Sequence, residues 1–318
     1  MAREWLLGTH PPDPGPGAIP VARPAPAAPG LAPLGPGPDG GRLPWEIRLT
    51  WIGHATFLVQ IPGLNLLTDP VWSDRSSPIG IAGPHRFVPP PMALDELPEI
   101  HAVLLSHDHY DHLDRPTVRA LHRRFGDGLT WLAPLGHRAW LAAQGIGRVA
   151  ELDWWGRAGL PGGSFEAVCV PARHWTRRRP GGTNRRLWCG WVIVPAGRSS
   201  GPRIWFMGDS GYCPAFAELG DRLGPFDASL IPIGAYEPRW FMSAWHVNPE
   251  EAVRAWVDAG ASGAFVGMHW GTWRLSFEDP LEPPIRTRAA WKAAGLRDQG
   301  LHLPPHGETL VLRGDAGG

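Results

Sequence analysis

Lysine is nearly absent from this chain: of its 30 basic residues only Lys292 is a lysine, and the rest are arginine. Cysteine is scarce too. Cys169, Cys189 and Cys213 form an odd, widely spaced set that excludes a disulfide framework and fits a reducing compartment. Neither sign of charge prevails, because 30 acidic residues match the 30 basic ones. A net charge of zero argues against a nucleic-acid binder built on bulk positive charge. Long apolar runs are missing as well, and none approaches the ~18 residues of a membrane-spanning helix. The N-terminus shows no basic-then-apolar leader pattern. The expected location is therefore cytoplasmic, with at most peripheral contact with a membrane.

Glycine, proline and tryptophan are plentiful, at 41, 37 and 18 residues in a chain of 318. Apolar residues make up 43%, enough for a sizeable core. Proline and glycine concentrate in residues 11–40, so residues 1–43 read as an irregular arm able to lie along the body, and 44–318 as the folded domain. The tryptophans read first as core packing, with some available for a wet, amphipathic surface.

From Glu46 the pattern becomes strand-like. Glu46–Gln60 continues through a Pro62-Gly63 hairpin signal into Leu64–Thr68. Ala102–Ser106 is a short apolar run of the buried-strand kind. Asp114 caps a helix that places Val118, Leu121 and Phe125 on one face and closes at Gly126. Thr130–Leu132 reads as a strand and Leu135–Gln144 as a helix. Further strands fall at Glu166–Pro171, Leu187–Val194, Arg203–Met207, Ala228–Ile231 and Ala264–Met268. Asn248, Pro249 and Glu251 form a capping box. It opens a helix with Ala252, Val253, Trp256 and Val257 on its apolar face, ended by Gly260. Two sets of strands with helices between and after them imply an α/β sandwich of two sheets covered by helices.

The chemistry is densest just after the Ala102–Ser106 strand, in His107-Asp-His109-Tyr110-Asp111-His112. In an extended segment His107 and His109 project to the same side, whereas the adjacent Asp111 and His112 diverge once the chain turns. Two imidazoles for one ion and a carboxylate–imidazole pair for a second is a sensible division, and these donors suit Zn²⁺, with Fe or Mn as alternatives. Two ions need more donors. His174, Asp209 and His269 each follow an apolar strand, and residues at strand ends converge on one rim of a sheet. Downstream of His174, Arg177-Arg178-Arg179 and Arg185-Arg186 flank a Pro-Gly-Gly turn. They read either as a solvated loop or as a clamp on phosphate or an anionic lipid surface.

These residues resemble the metallo-β-lactamase-fold hydrolases, a four-layer αββα sandwich. Longer strings narrow the resemblance: Trp51-Ile-Gly-His-Ala-Thr, Leu67-Thr-Asp-Pro, Pro171-Ala-Arg-His-Trp, Gly208-Asp-Ser-Gly-Tyr, Tyr236-Glu-Pro-Arg-Trp, His246-Val-Asn-Pro-Glu-Glu and His269-Trp-Gly-Thr. They resemble the N-acyl-phosphatidylethanolamine-hydrolysing phospholipase D branch, over residues 45 to 300. The resemblance implies that His107, His109 and His174 hold one metal, that Asp111, His112 and His269 hold the other, and that Asp209 bridges both. A carboxylate has two oxygens, one for each ion of a pair ~3.5–4 Å apart.

Asp69 is then an acceptor for ligand imidazole N–H groups, or an ordinary turn residue before Pro70, and His54 is a supporting or core residue. The resemblance puts His246 in the site as a non-ligand, for phosphate contact or proton transfer, so the implied catalytic residues are Asp111, Asp209 and His246. Tyr110, Trp245 and Arg177 are the expected substrate contacts. Trp245 departs from the polar residue the family often carries there.

The implied activity is phospholipase D-type hydrolysis of N-acyl-phosphatidylethanolamine with two Zn²⁺. Hydrolysis of a soluble lactone or phosphodiester, or a non-hydrolytic di-metal protein, stands as the alternative. The expected partner is a phospholipid at a membrane surface and not nucleic acid, with a homodimer left open.

Overall fold

A computed structural model describes residues 11–27, 44–197 and 201–314. The chain enters the body at β1 (Trp45–Gly53), turns into β2 (Thr56–Ile61) and β3 (Leu64–Thr68), then crosses to β4 (Ala102–Leu104). Helix α1 (Arg115–Phe125) leads to β5 (Thr130–Pro134), and α2 (Arg138–Ala142) to β6 (Val149–Leu152), β7 (Arg157–Gly159), β8 (Phe165–Val170), β9 (Gly190–Pro195) and β10 (Ile204–Phe206). The last third runs α3 (Ala215–Leu223), β11 (Ala228–Pro232), α4 (Arg239–Met242), α5 (Pro249–Asp258), β12 (Ala264–Met268), α6 (Glu282–Ala293), β13 (Leu301–His302) and β14 (Thr309–Gly314).

The strands form two seven-stranded sheets, ordered β14-β1-β2-β3-β4-β5-β6 and β13-β12-β11-β10-β9-β8-β7. Each is half antiparallel and half parallel. The parallel halves are β3 to β6 and β10 to β13. Alternate residues of the first sheet serve different cores. Leu66, Ala102 and Leu104 face the second sheet across one apolar layer, while Leu67, Val103 and Leu105 pack outward with Val118, Leu121 and Leu141 of α1 and α2. Strands covered on both faces read as unbroken apolar runs, which is why Ala102–Ser106 shows no alternation. On the far side, Phe216 and Leu219 of α3, Val253 and Trp256 of α5 and Trp291 of α6 cover the second sheet. The architecture is the four-layer αββα sandwich.

Several local expectations change. Glu46–Gln60 is two strands, because Gly53 (φ +127°) and His54 (φ +53°) adopt left-handed backbone and reverse the chain. The Leu135–Gln144 helix shrinks to Arg138–Ala142, since residues 135–137 turn off β5, with the Leu135 N–H on the Leu152 carbonyl, before the helix starts. The Leu187–Val194 strand begins only at Gly190. On α5 the capping box forms as expected, but Ala255 is buried and Val257 is 40% exposed, so the apolar stripe sits one residue round.

Of the arm, residues 11–27 pack along the body, and the remainder of 1–43 lies outside the described residues. Ile19 is buried, the Ala22 N–H donates to the His306 carbonyl, and Gln60 clamps the backbone of Ala27 from both sides. A proline-rich segment loses little conformational freedom on docking in this way.

Candidate metal centre

The site lies where the parallel strands of both sheets end. Asp69 follows β3, Ser106 and His107 lie just past β4, Gly208 and Asp209 just past β10, and His269 follows β12. β8 runs on to His174, whose neighbour Arg173 donates its N–H to Ser210 Oγ, tying that loop to the Asp209 turn. The turns are tight. Asp69, His54 and His269 have φ of +32°, +53° and +65°, and the His269 N–H donates to the His54 carbonyl at 3.1 Å. Non-glycine residues in this region are held there by their surroundings, and such strain gathers at functional sites. Gly208 (φ +64°) precedes Asp209, and a Cβ there would meet the Cys189 carbonyl at 2.8 Å and the Ser106 side chain at 3.0 Å. Glycine is required at that position.

Two donor groups meet at Asp209. In the first, His107 Nε2 is 2.9 Å from His109 Nδ1, His174 Nε2 is 3.2 Å from the same atom, and both Nε2 atoms are 3.8 Å from Asp209 Oδ2. In the second, His112 Nε2 is 3.3 Å from Asp111 Oδ2 and 3.1 Å from Asp209 Oδ2, while His269 Nε2 is 3.1 Å from Asp209 Oδ1. All seven residues expected as metal ligands from the sequence are thus together, and Asp209 touches both groups. His246 stands beside them, its ring 5.1 Å from that of His174, with Nε2 3.9 Å from Asp209 Oδ2.

The supporting contacts are specific. Asp69 is fully buried. Its Oδ2 faces His112 Nδ1 at 2.7 Å and accepts from Ser106 Oγ, while its Oδ1 accepts from the Ser106 N–H. Ser106 Oγ also lies 2.8 Å from His107 Nδ1, so one carboxylate orients two imidazoles, one of them through a serine. His174 Nδ1 is held by the Trp245 carbonyl at 2.9 Å. His54 lies closer in than a core residue. Its Nε2 is 2.9 Å from Asp111 Oδ2, and its ring sits 3.7 Å from that of His269. Sequence reasoning did not single out Ser106, though its place between the strand end and His107 was the available signal. It also missed Asp108, whose carboxylate takes the Arg177 N–H at 3.0 Å and Arg186 Nη1 at 2.6 Å.

The three expected substrate contacts fare differently. Tyr110 donates its hydroxyl to the Arg178 carbonyl at the edge of the centre. Trp245 pairs with Trp175, their rings 6.4 Å apart, and Trp175 in turn packs edge-on to His109. Arg177 is exposed, and among the described residues only its backbone N–H is engaged, on Asp108. The Arg178 and Arg186 side chains are the ones anchored on Asp108.

Buried ring nitrogens facing one another need a proton or a cation between them. Among the described residues His109 Nε2, His112 Nε2, His269 Nε2 and Asp209 Oδ1 are buried with no hydrogen-bond partner. Unpaired buried polar atoms are costly unless they serve as ligands. Burial holds His107 and His174 well below the ordinary imidazole value. Burial would raise Asp111 and Asp209, but the imidazoles around them, His112 foremost, outweigh it and hold both carboxyls well below the usual range. His112 is the exception. Burial opposes its charge, yet Asp209, Asp111 and Asp69 outweigh that and keep it well above the usual value. Neutral imidazoles, ionised carboxylates and a local demand for positive charge are what metal ligation requires, and the donor set fits divalent cations.

A sandwich of two mixed sheets with histidine and aspartate donors at its joint rim defines a metal-dependent hydrolase of the metallo-β-lactamase fold. The chain belongs to the beta-lactamase superfamily, whose domain matches residues 64–270. It is 43% identical over 243 residues to N-acyl-phosphatidylethanolamine-hydrolyzing phospholipase D 1 of Caenorhabditis elegans, a match covering 74% of this chain and 67% of that one. It is 30% identical over 275 residues to the mitochondrial N-acyl-phosphatidylethanolamine-hydrolyzing phospholipase D of Saccharomyces cerevisiae, covering 85% of this chain and 57% of the yeast protein. Among solved structures, an isothiocyanate hydrolase from Delia radicum gut bacteria superposes with a TM-score of 0.64 at 19% identity, covering 84% of this chain and all of that one. No helix among the described residues is long and apolar enough to cross a membrane.

Proposed function

We propose that this protein is a phospholipase D-type phosphodiesterase that hydrolyses N-acyl-phosphatidylethanolamine to an N-acylethanolamine and phosphatidic acid, using two metal ions, zinc foremost. The observation that carries this reading is the two-part donor set around Asp209, in a chain 43% identical to a worm enzyme named for that reaction. His107, His109 and His174 would hold one ion and Asp111, His112 and His269 the other, with Asp209 between. Bound there, the ions supply Lewis acidity, which offsets charge on the phosphoryl oxygens and makes a water nucleophile available near neutral pH.

The chain's own residues do the rest. Asp69 fixes the rings of His112 and, through Ser106, His107. Hydrolysis adds water across the phosphorus–oxygen bond to the ethanolamine, so hydroxide oxygen joins phosphorus and the leaving alkoxide takes up a proton. His246 would move that proton from the attacking water to the leaving alkoxide. Burial lowers it to about 4, leaving it neutral and able to accept, and its Nδ1 is buried with no partner among the described residues. Trp175 and Trp245 give apolar surface beside the centre for acyl chains. The natural surroundings of the enzyme in this reading are a phospholipid surface.

The test compares N-acyl-phosphatidylethanolamine in mixed micelles with a short, water-soluble phosphodiester bearing the same head group, at equal metal loading. Each buried CH₂ contributes ~0.8 kcal/mol, so the lipid should be cleaved with far higher kcat/KM, and losing the acyl chains should raise KM first. Equal efficiency on both, or cleavage of neither alongside rapid lactone opening, would move the protein to a soluble substrate. Metal analysis with visible spectroscopy settles the ion, since zinc is colourless and iron is not.

A further inference from the structure

A cleft of about 900 Å³ lies outside the metal centre. None of the seven metal-donor residues lines it. It opens beside them, with Tyr110 as the shared wall, between α1, the 73–80 loop and the turn after His174.

Its lining is arginine. Arg115, Arg119 and Arg123 follow one another at four-residue spacing along a single face of α1, and Arg75, Arg178 and Arg179 face them. Like charges at that spacing repel and destabilise a helix. Among the described residues, none of these six arginines has a carboxylate within ion-pair distance, whereas the seventh lining arginine, Arg186, is paired with Asp108 at 2.6 Å. The one acid lining the cleft, Asp114, spends its carboxylate on Ser73 Oγ and on the cap of α1 through Thr117. Arg115 and Arg119 share the single amide oxygen of Gln144, at 2.9 and 3.2 Å. Arg178 is set between two rings, 4.3 Å from Tyr110 and 4.6 Å from Trp140, and its Nη1 donates to the Asp108 carbonyl, so its guanidinium is fixed in place. A pre-positioned arginine beside a stripe of uncompensated ones is the chemistry that recognises phosphate.

We infer that this cleft binds a phosphate group other than the one hydrolysed, presented either by an anionic phospholipid head group or by a soluble phosphomonoester. The volume is in the range of small-molecule sites. The loop at its mouth carries Ile79 and Ile81, 63% and 85% exposed, an apolar tip of the kind that enters a bilayer interface and favours the lipid source. The inference stands apart from the phospholipase reading, because it concerns binding at residues outside the metal centre.

The experiment uses the full, metal-loaded chain and reads binding rather than turnover. One arm sediments the protein with phosphatidylcholine vesicles, with and without a minor fraction of phosphatidic acid. The other titrates it calorimetrically with glycerol 3-phosphate. The triple variant Arg115→Gln/Arg119→Gln/Arg179→Gln removes exposed side chains, so metal content and thermal stability should hold or improve. A control triple, Arg148→Gln/Arg288→Gln/Arg297→Gln, makes the same change in net charge elsewhere. The wild type and the control should bind phosphatidic acid vesicles about a hundredfold better than the cleft variant, with added salt weakening the binding. Glycerol 3-phosphate bound by the wild type but not by the cleft variant, without vesicle binding, would assign the soluble source. Equal binding by the cleft variant and the control, binding of neither probe by the wild type, or preference for an RNA oligonucleotide over both would overturn the inference. Failure to cleave N-acyl-phosphatidylethanolamine would leave these results unchanged.

Discussion

Asp209 is the residue on which the two donor groups depend. It has one oxygen toward His112, His107 and His174 and the other toward His269. Asp209→Asn keeps the shape but replaces one carboxylate oxygen with an amide nitrogen, which does not ligate, and leaves the other oxygen neutral. Turnover should fall by at least the ~10²-fold typical of losing a positioned catalytic group, with a circular dichroism spectrum like the wild type. Near-normal turnover with full metal content would remove Asp209 from its place between the ions. The resemblance gives His246 a role other than ligand, although its Nε2 lies as near Asp209 Oδ2 as those of His107 and His174. His246→Ala should lower kcat by ~10²–10⁴-fold and leave the metal-to-protein ratio unchanged. A drop in bound metal would make it a ligand or the support of one.

At the scale of elements, the α1 segment shows how much short-range sequence carries. Asp114 caps the helix by accepting the Thr117 N–H, Pro116 sits in its first turn, and Val118 and Leu121 are buried where the spacing puts them. The cap anchors the end of the His107–His112 stretch, because Leu113 and Asp114 are both buried. α2 illustrates the reverse. His137, which opens it, is fully buried, and its Nδ1 lies 2.9 Å from the Pro134 carbonyl. Burial lowers it from 6.5 to about 4, against the pull of that carbonyl and of Asp108 and Glu151. The folded protein therefore resists a proton that the unfolded chain accepts. Stability from this group is complete above pH 6.5 and is lost as pH falls toward 4. His137→Gln cannot titrate, so the wild type should lose ~3 kcal/mol relative to it across that interval, at ~1.36 kcal/mol per pH unit. Thermal melts of both proteins at several pH values check this, and a constant gap between them would refute it.

On the scale of the whole molecule, the centre joins the two sheets. β3, β4 and the following loop bring Asp69, His107, His109, Asp111 and His112 from one, and β8, β10 and β12 bring His174, Asp209 and His269 from the other. Cations held there bind the folded state and not the separated sheets, so they stabilise folding by mass action, by ~2.7 kcal/mol at a hundredfold excess over Kd. Stripping the protein with a chelator should lower Tm by several degrees, and returning the metal should restore it. An unchanged Tm after verified loss of metal would mean that the sandwich holds these carboxylates together without help.

What the sequence determined by itself is the set of features whose causes lie within a few residues. These are the His107–His112 spacing after an apolar run, the caps at Asp114 and Asn248, and the apolar strands that end in His174, Asp209 and His269. Each depends on local backbone geometry or on a strand end, and those are written in neighbouring residues. Tertiary structure decided the rest. His54 meets Asp111 across 57 residues and Asp69 meets His112 across 43, pairings set by strand order and not by any local pattern. The break at Gly53 and His54 went unread, although Gly53 was an available signal, because the left-handed turn at His54 is imposed by packing. The arginines after His174 read as a solvated loop or a clamp on phosphate, and nothing in the sequence joined them to Arg115, Arg119 and Arg123 of α1. They became one cleft only when the fold set them face to face, since like charges are brought together by the packing of the elements that carry them and never by attraction among themselves.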